Sequence, residues 1–207
     1  MATIFDLIMS MLIGATILVI VLTANDIAAE NQSVYNGDML VQEMLITTAQ
    51  MVEGEFRNMG FGVPETKPSI LYADTSRITF LARIVPDTSS TVDTITYSLG
   101  PTSELAGTKN ELDRLLHRKV NSGPSDGVAA VTIFKLRYFT PDGDSLQTPV
   151  PAGSLTEIHV VEVTLEVQNP YAIGRRPGEI IEAGERDALY SSSLWQQTRL
   201  ASQNSRR

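Results

Sequence analysis

Several residue types that carry chemistry or staple folds are missing from this chain or scarce in it. It has no cysteine and two histidines among 207 residues, which rules out a disulfide framework, thiol catalysis and zinc held by cysteine. Lysine and arginine together number 16 against 24 aspartates and glutamates, a formal net charge of −8. No row of basic residues interrupts this acidic balance, so a phosphate backbone is a poor ligand and we predict no nucleic-acid binding.

Proline and basic residues are absent from the first part of the chain, up to Pro64 and Arg57 respectively. Within it, the segment from Ile4 to Leu22 is apolar almost throughout, and about 20 such residues let an α-helix cross the hydrocarbon of a bilayer. We therefore predict a membrane-spanning helix over residues 4–23. Its unusual member is Asp6, since a carboxylate at the centre of a span costs roughly 2.5 to 3.5 kcal/mol, and less towards the ends.

Three interpretations of this segment are open. A cleaved secretory signal would place the cleavage near Ala28 and Ala29, but it requires a basic N-terminal region that the sequence lacks. A plain membrane anchor explains the length of the segment and leaves Asp6 unexplained. A retained helix that leaves the lipid to pack against copies of itself explains both the length and the acid, and we favour it.

Asp6 itself has two interpretations. In the first, it lies at the membrane surface near the start of the helix, where the helix macrodipole stabilises a carboxylate by some 0.3 to 1 kcal/mol. In the second, it pairs with the α-amino group of a neighbouring subunit's helix. That pairing would neutralise a charge that is otherwise buried, and it would fix the axial offset between subunits.

Helical spacing continues beyond the span to about residue 59. Residues that recur at intervals of three and four predict an amphipathic helix with one buried face; they are Val41, Met44, Leu45, Thr48, Val52, Phe56 and Met59. The Asn-Gly-Asp triplet at residues 36–38 predicts a weak point, and Gly60, Gly62 and Pro64 predict the stop. We therefore expect an N-terminal unit over residues 1–62 whose helix, roughly 80 Å long, projects from any compact domain of this size.

Residues 63–207 are predicted to form a β-rich head. Runs of β-branched and aromatic residues predict strands at 69–72, 77–84, 92–99, 112–120, 131–140, 158–167 and 194–200. Turn-forming residues predict a hairpin around the Asp-Gly pair after residue 140, a loop at 121–127, one helical turn at 128–130, a long connection at 169–188 and a disordered tail at 202–207. The economical arrangement is an α+β fold in which the second half of the helix covers one face of an antiparallel sheet. The inward strand residues would then include Ile78, Phe80, Ile133, Leu136, Val161 and Val163.

A search for catalytic constellations finds little. His117 and His159 lie far apart in predicted strands without the spacing of a zinc motif, and no Gly-x-Ser-x-Gly elbow is present. We expect each to be an ordinary strand residue with a hydrogen-bonded ring. The Asp142-Gly143-Asp144 triplet lacks the further acids of a calcium loop, so we interpret it as the hairpin turn. The sequence therefore predicts no catalytic residue, no metal site, no cofactor and no enzyme activity.

Two stretches carry a family resemblance. The first is TIFDLIMSMLIGATILVIVL, with an acid near its start and a glycine about two turns later, and the second ends in QEMLITTAQMVEGEFRNMGFGVP. Together they resemble the N-terminal helix of a type IV pilin-like protein, most closely the minor pilins and pseudopilins of the J/W type. In that group an acidic and basic run and an aromatic-glycine pair end the helix, here Glu53, Glu55, Arg57 and residues 60–62. Segments such as ITFLARI, LDRLLHRKV and EIHVVEVTLEV are similar to the head of those proteins.

The resemblance implies a subunit held by one span in the bacterial inner membrane, with its head on the outer side, and then moved into a filament. The implied partners are other pilin or pseudopilin subunits, the inner-membrane assembly platform and, before assembly, membrane lipid. Ala2 would be the mature N-terminus and methylation site, Asp6 stands where the family usually has glutamate, and Gly14 would loosen the helix. The implied function is to initiate or cap a type IV pilus or a type II secretion pseudopilus. The alternative is a membrane-anchored or secreted binding module unrelated to filaments.

Overall fold

The computed structural model of the chain describes residues 2–84, 92–108, 110–169 and 193–201. Its longest element is α1, Ala2–Arg57, which is about 84 Å long at 1.5 Å per residue. The long N-terminal helix predicted from the sequence is thereby confirmed, and the predicted weak point at residues 36–38 does not interrupt it. Beyond the helix, Gly60 and Gly62 take φ angles of 78° and 73°, a left-handed conformation that glycine adopts readily and that ends helices.

The head contains two antiparallel sheets rather than the single sheet predicted from the sequence. The first has the strand order β1-β2-β3-β4-β5 and the second the order β7-β6-β8-β9. Their bounds are β1 Ile70–Ala73, β2 Arg77–Ala82, β3 Asp93–Leu99, β4 Arg114–Val120, β5 Ser125–Val131, β6 Ile133–Phe139, β7 Ser145–Leu146, β8 Val160–Gln168 and β9 Ser193–Ala201. The chain changes sheet between β5 and β6, and the sequence there carries no turn motif that would have marked the change.

The predicted helical turn at residues 128–130 is wrong, because this segment belongs to β5. Ala129 pairs with Leu116 of β4, and Gly127 pairs with His117 beside an irregularity in the register. A Cβ on Gly127 would lie 2.4 Å from a methyl carbon of Leu115, so the glycine lets the two strands approach. The strand therefore forms through its pairing with β4, and its Ser-Asp-Gly-Val-Ala-Ala sequence has no strong β preference of its own.

The predicted hairpin is confirmed, since Tyr138 of β6 pairs with Leu146 of β7. Asp142 to Asp144 form its turn, in which Gly143 has a φ of 91°. The last predicted strand is β9. Of the predicted connection at 169–188 only Asn169 is described; its other residues, like the tail at 202–207, lie outside the described part of the chain.

The second half of α1 packs into the head along the predicted stripe. Phe56 contacts Phe80 and Tyr97 edge to face, with ring centroids 5.4 and 5.6 Å apart, an arrangement that aromatic rings favour. The residues of that stripe are buried except Met44, which is partly buried, and the predicted inward strand residues are buried except Ile133. Ile133 is 39% exposed because side chains alternate along β6, so that Phe134 and Leu136 point inward instead.

Candidate interaction helix and its attachment to the head

The N-terminal half of α1 projects from the head with its apolar side chains uncovered. Residues 3–33 are all exposed, and the large apolar side chains from Ile4 to Leu22 keep 43% to 75% of their surface. Among the described residues this is the one helix long and apolar enough to cross a membrane, judged by length and composition alone. A continuous apolar surface of this extent marks contact with lipid or with another protein.

The three residues predicted to matter in this half lie along one exposed helix. Ala2 is its first residue, and Asp6 lies in the second turn, since the first turn contains no acid. Within the described residues no ion pair joins Asp6 to another part of the chain. Gly14 has nothing within 4 Å of the place of a Cβ, and the helix continues through it.

The outward face of the second half of α1 is also partly apolar. Tyr35 and Met39 keep 69% and 70% of their surface, and Ile46 keeps 44%. At 100° per residue these three side chains lie within about 40° of one another around the helix, and Asp6 lies about 20° from Tyr35 in the same projection. These three side chains therefore form one exposed apolar strip at the side of the stripe that the head buries. We call this the outer face of α1.

A groove of about 720 Å³ lies beside the helix, between α1 and the two sheets. Val41, Met44, Val128 and Val167 give it apolar walls, and Glu43 and Asp113 add carboxyl groups. Burial raises the pKa of Asp113, because a desolvated carboxylate loses its hydration. The groove contains no basic side chain among its lining residues. It therefore suits a largely apolar ligand that is uncharged or carries a positive charge.

Near its end, α1 is attached to each sheet by one acidic side chain. On the first sheet, Glu55 accepts bonds from Arg118 Nε at 2.9 and 3.0 Å and from the Tyr97 hydroxyl at 2.6 Å. Burial, and then the bond to Glu55, raise the pKa of Tyr97, so the phenol stays a donor. On the second sheet, Glu53 Oε1 accepts bonds from Thr198 Oγ1 at 2.7 Å and Gln196 Nε2 at 3.0 Å.

The charged residues near the end of α1 thus differ in their orientation. Glu53 and Glu55 point into the head, whereas Arg57 is 65% exposed and lies 3.8 Å from Glu53 one turn away. The acids flank the buried stripe of the helix, so their inward orientation could have been inferred from helical spacing. Their partners on β3, β4 and β9 could not have been, because they are 42 to 145 residues away in sequence.

The histidines do not form a reactive site with one another. His117 lies in β4 as predicted, with Nε2 2.6 Å from Glu104 Oε2, but its buried Nδ1 has no hydrogen-bond partner within the described chain. His159 precedes β8 instead of lying in it, so its predicted placement in a strand is wrong, and its Nδ1 is 3.3 Å from the carbonyl oxygen of Glu157. No group of three or more histidine and acidic side chains that could hold a metal occurs in the described ranges.

No protein-family model, no curated protein and no solved structure matches the chain. In the described residues one long helix, apolar and exposed in its first half, packs by its second half on two antiparallel sheets. This is an α+β fold with a segment able to span a membrane.

Proposed function

We propose that this chain is a minor pilin or pseudopilin, a subunit that helps to initiate or cap a type IV pilus or a type II secretion pseudopilus. Before assembly its apolar half spans the bacterial inner membrane, with the head on the outer side. During assembly the helix leaves the lipid and packs against the helices of other subunits. The work of extraction comes from a cytoplasmic ATPase through the inner-membrane assembly platform, and the chain itself catalyses no reaction.

The observation that carries this proposal is the continuity of α1. A simple anchor needs no fixed geometry between its span and its head, and a flexible linker would serve. Here the polar segment at residues 23–33 stays helical without support from the head, so the apolar half and the head behave as parts of one rod. A filament built by repeating one geometry requires such a rod, because the packing of each apolar half then determines where each head lies.

Asp6 supplies the second argument. An ionised carboxylate that passes from a membrane surface into a bundle of apolar helices must be paired, because an uncompensated buried charge is strongly destabilising. The nearest basic residue in sequence is Arg57, about 76 Å further along the rod. We propose that the partner comes from another subunit, because the α-amino group at a neighbour's N-terminus is a cation that every subunit carries.

The outer face of α1 supports the same proposal. Tyr35, Met39 and Ile46 are exposed side chains with apolar surface that the head leaves uncovered. A neighbouring subunit's apolar half can pack there, since small and large apolar side chains of two helices interlock as ridges and grooves. Such packing would cover apolar surface on both subunits at once.

Asp6 variants test the proposal directly. We expect Asp6→Ala and Asp6→Lys to abolish incorporation into sheared filaments while the amount of subunit in the membrane stays unchanged, and Asp6→Glu to retain incorporation. Ser10→Ala, one turn further along the exposed helix, is the matched control. If both the alanine and the lysine variant assemble as well as the parent, the proposal is wrong. Mass spectrometry of the native N-terminus gives a second test, because a methylated Ala2 would support it and cleavage near Ala29 would refute it.

The groove beside α1 favours one second candidate, a membrane-anchored binding module unrelated to filaments. Its volume of about 720 Å³ lies within the range of small-ligand sites. This candidate predicts that the Asp6 variants bind their ligand as the parent does, whereas substitutions in the groove, such as Ala130→Phe, abolish ligand binding. The filament proposal predicts the opposite order of effects.

A further inference from the structure

The helix meets the head first at Asn169, the residue that follows β8. Asn169 is fully buried, and its Nδ2 donates to the backbone carbonyl of Val34 at 3.0 Å and to Asp38 Oδ1 at 2.8 Å. It therefore bonds to the backbone and to a side chain within a single turn of α1. We call this contact the Asn169 clamp.

Gly37 makes the clamp possible. A Cβ at this position would lie 2.4 Å from Asn169 Oδ1 and 2.7 Å from its Nδ2, distances that no packed side chain tolerates. The amide cannot move aside at no cost, because it is buried and bonded to Val34 and Asp38. Glycine lowers helix propensity relative to alanine, so the close approach of Asn169 gives a physical reason for a glycine in the middle of this helix.

The clamp lies where a small tilt of the helix produces a large displacement of its N-terminal end. Residues 3–33 are exposed, so in the described part of the chain the clamp is where contact between the helix and the head begins. The projecting part is about 47 Å long, and a tilt of about 10° at Val34 would move Asp6 sideways by about 7 Å. A displacement of that size exceeds the reach of an ion pair, about 4 Å between nitrogen and oxygen.

We infer that Asn169, together with Gly37, is a positioning residue that fixes the direction in which the N-terminal half of α1 leaves the head. The consequence for assembly rests on the proposed function, since direction matters there because Asp6 has to meet a partner on another subunit. The clamp itself does not rest on it. It is a property of the single chain and can be measured in a subunit that never assembles.

The absence of cysteine allows this direction to be measured with spin labels. Cysteines introduced at Ala15, in the projecting half, and at Ile133, on the exposed face of β6, would carry nitroxides in the full-length protein in detergent micelles. Double electron–electron resonance then gives the distribution of distances between them. A tilt of about 10° at Val34 moves position 15 by about 5 Å, so we expect a narrow distribution in the parent and one broadened or shifted by several ångströms in Asn169→Ala.

Three further variants separate the clamp from general damage. Asn36→Ala removes an exposed amide from the same turn and should leave the parent distribution unchanged. Asn169→Asp removes the donor to the Val34 carbonyl and places a carboxylate against Asp38, so it should broaden the distribution. Gly37→Ala places a Cβ 2.4 Å from Asn169 Oδ1, so it should displace the amide and broaden or shift the distribution as well. The near-ultraviolet circular dichroism of each variant reports whether the head is folded.

The inference is overturned if Asn169→Ala and Asn169→Asp both give the parent distribution with a folded head. Should Asn169→Ala fail to fold, Gly37→Ala decides, and the parent distribution in a folded Gly37→Ala variant overturns the clamp. These outcomes are independent of the proposed function, since the distance distribution is measured in the single chain and does not depend on whether the Asp6 variants form filaments.

Discussion

Removal of the Arg118 guanidinium should weaken the attachment of α1 to the first sheet. Arg118 and Glu55 keep only 22% and 18% of their side-chain surface, and Arg118 Nε bonds to both carboxylate oxygens. In Arg118→Ala the carboxylate of Glu55 would retain the Tyr97 hydroxyl, 2.6 Å away, but lose the cation that compensates its charge. Outward movement of Glu55 into solvent would break this bond to the Tyr97 hydroxyl.

The size of the effect follows from this burial. Breaking a fully buried ion pair costs about 3 to 5 kcal/mol, whereas an exposed pair contributes about 0 to 1 kcal/mol. The pair of Glu55 and Arg118 lies nearer the buried limit, so we expect a loss of about 3 kcal/mol in the free energy of unfolding. For a chain of this size each kcal/mol lowers Tm by about 2 to 4 °C, which gives a fall of about 6 to 12 °C.

The assay is thermal unfolding of the full chain in detergent, followed by near-ultraviolet circular dichroism. Arg114→Ala is the matched control, because it removes an arginine from the same strand that makes no ion pair within the described residues. Glu55→Gln combined with Arg118→Ala should be more stable than Arg118→Ala alone, since it removes the uncompensated charge. If Arg118→Ala lowers Tm no more than Arg114→Ala does, the ion pair of Glu55 and Arg118 does not stabilise the packing of α1 on the first sheet.

Three other substitutions should shift Tm in the same assay. Burial raises the pKa of Asp113, so Asp113→Asn should raise Tm at pH 7, and the gain should shrink as the pH falls and the parent carboxyl binds its proton. For Glu162, burial raises the pKa but the bond from Arg199 holds it below the ordinary 4.5; Glu162→Gln should therefore lower Tm at pH 7, with no deficit once the pH falls through the lowered pKa. Thr198→Val removes the 2.7 Å bond to Glu53 and should cost about 1 to 2 kcal/mol, and no change in Tm would contradict the attachment of α1 to the second sheet.

The helix could be predicted in detail because its signals are local. The interval of three and four residues between Val41 and Met59 reflects the pitch of an α-helix, and the structure buries that face. The apolar segment at residues 4–22 needs only length and composition to be recognised. The predicted weak point at residues 36–38 is wrong because it also rests on local signals alone. Gly37 lowers helix propensity, but the reason for a glycine there is the close approach of Asn169, which is distant in sequence.

The sheets were less predictable because their partners are distant in sequence. The alanines and the glycine of β5 have little β preference, and the strand exists because Ala129 pairs with Leu116. The division into two sheets depends likewise on where β6 pairs, with β8 and not with β5. The orientation of side chains within a strand is also hard to predict. Ile133 and Phe134 are both apolar and adjacent in β6, so hydrophobicity alone does not tell which of them points inward.

Polar contacts hold α1 at two places along its length, near residues 34–38 and near residues 53–55, about 27 Å apart. Apolar packing between them is strong but non-directional, so it resists separation of the helix from the head better than it resists tilt. If the helix pivots at the contacts of Glu53 and Glu55, a sideways displacement of about 1 Å at Gly37 becomes roughly 2.8 Å at Asp6. The displacement grows in proportion to the distance along the helix from the pivot. A buried hydrogen bond has a narrow range of length and angle, and this geometric selectivity explains why a polar side chain, rather than one more apolar contact, lies at the point where the helix leaves the head.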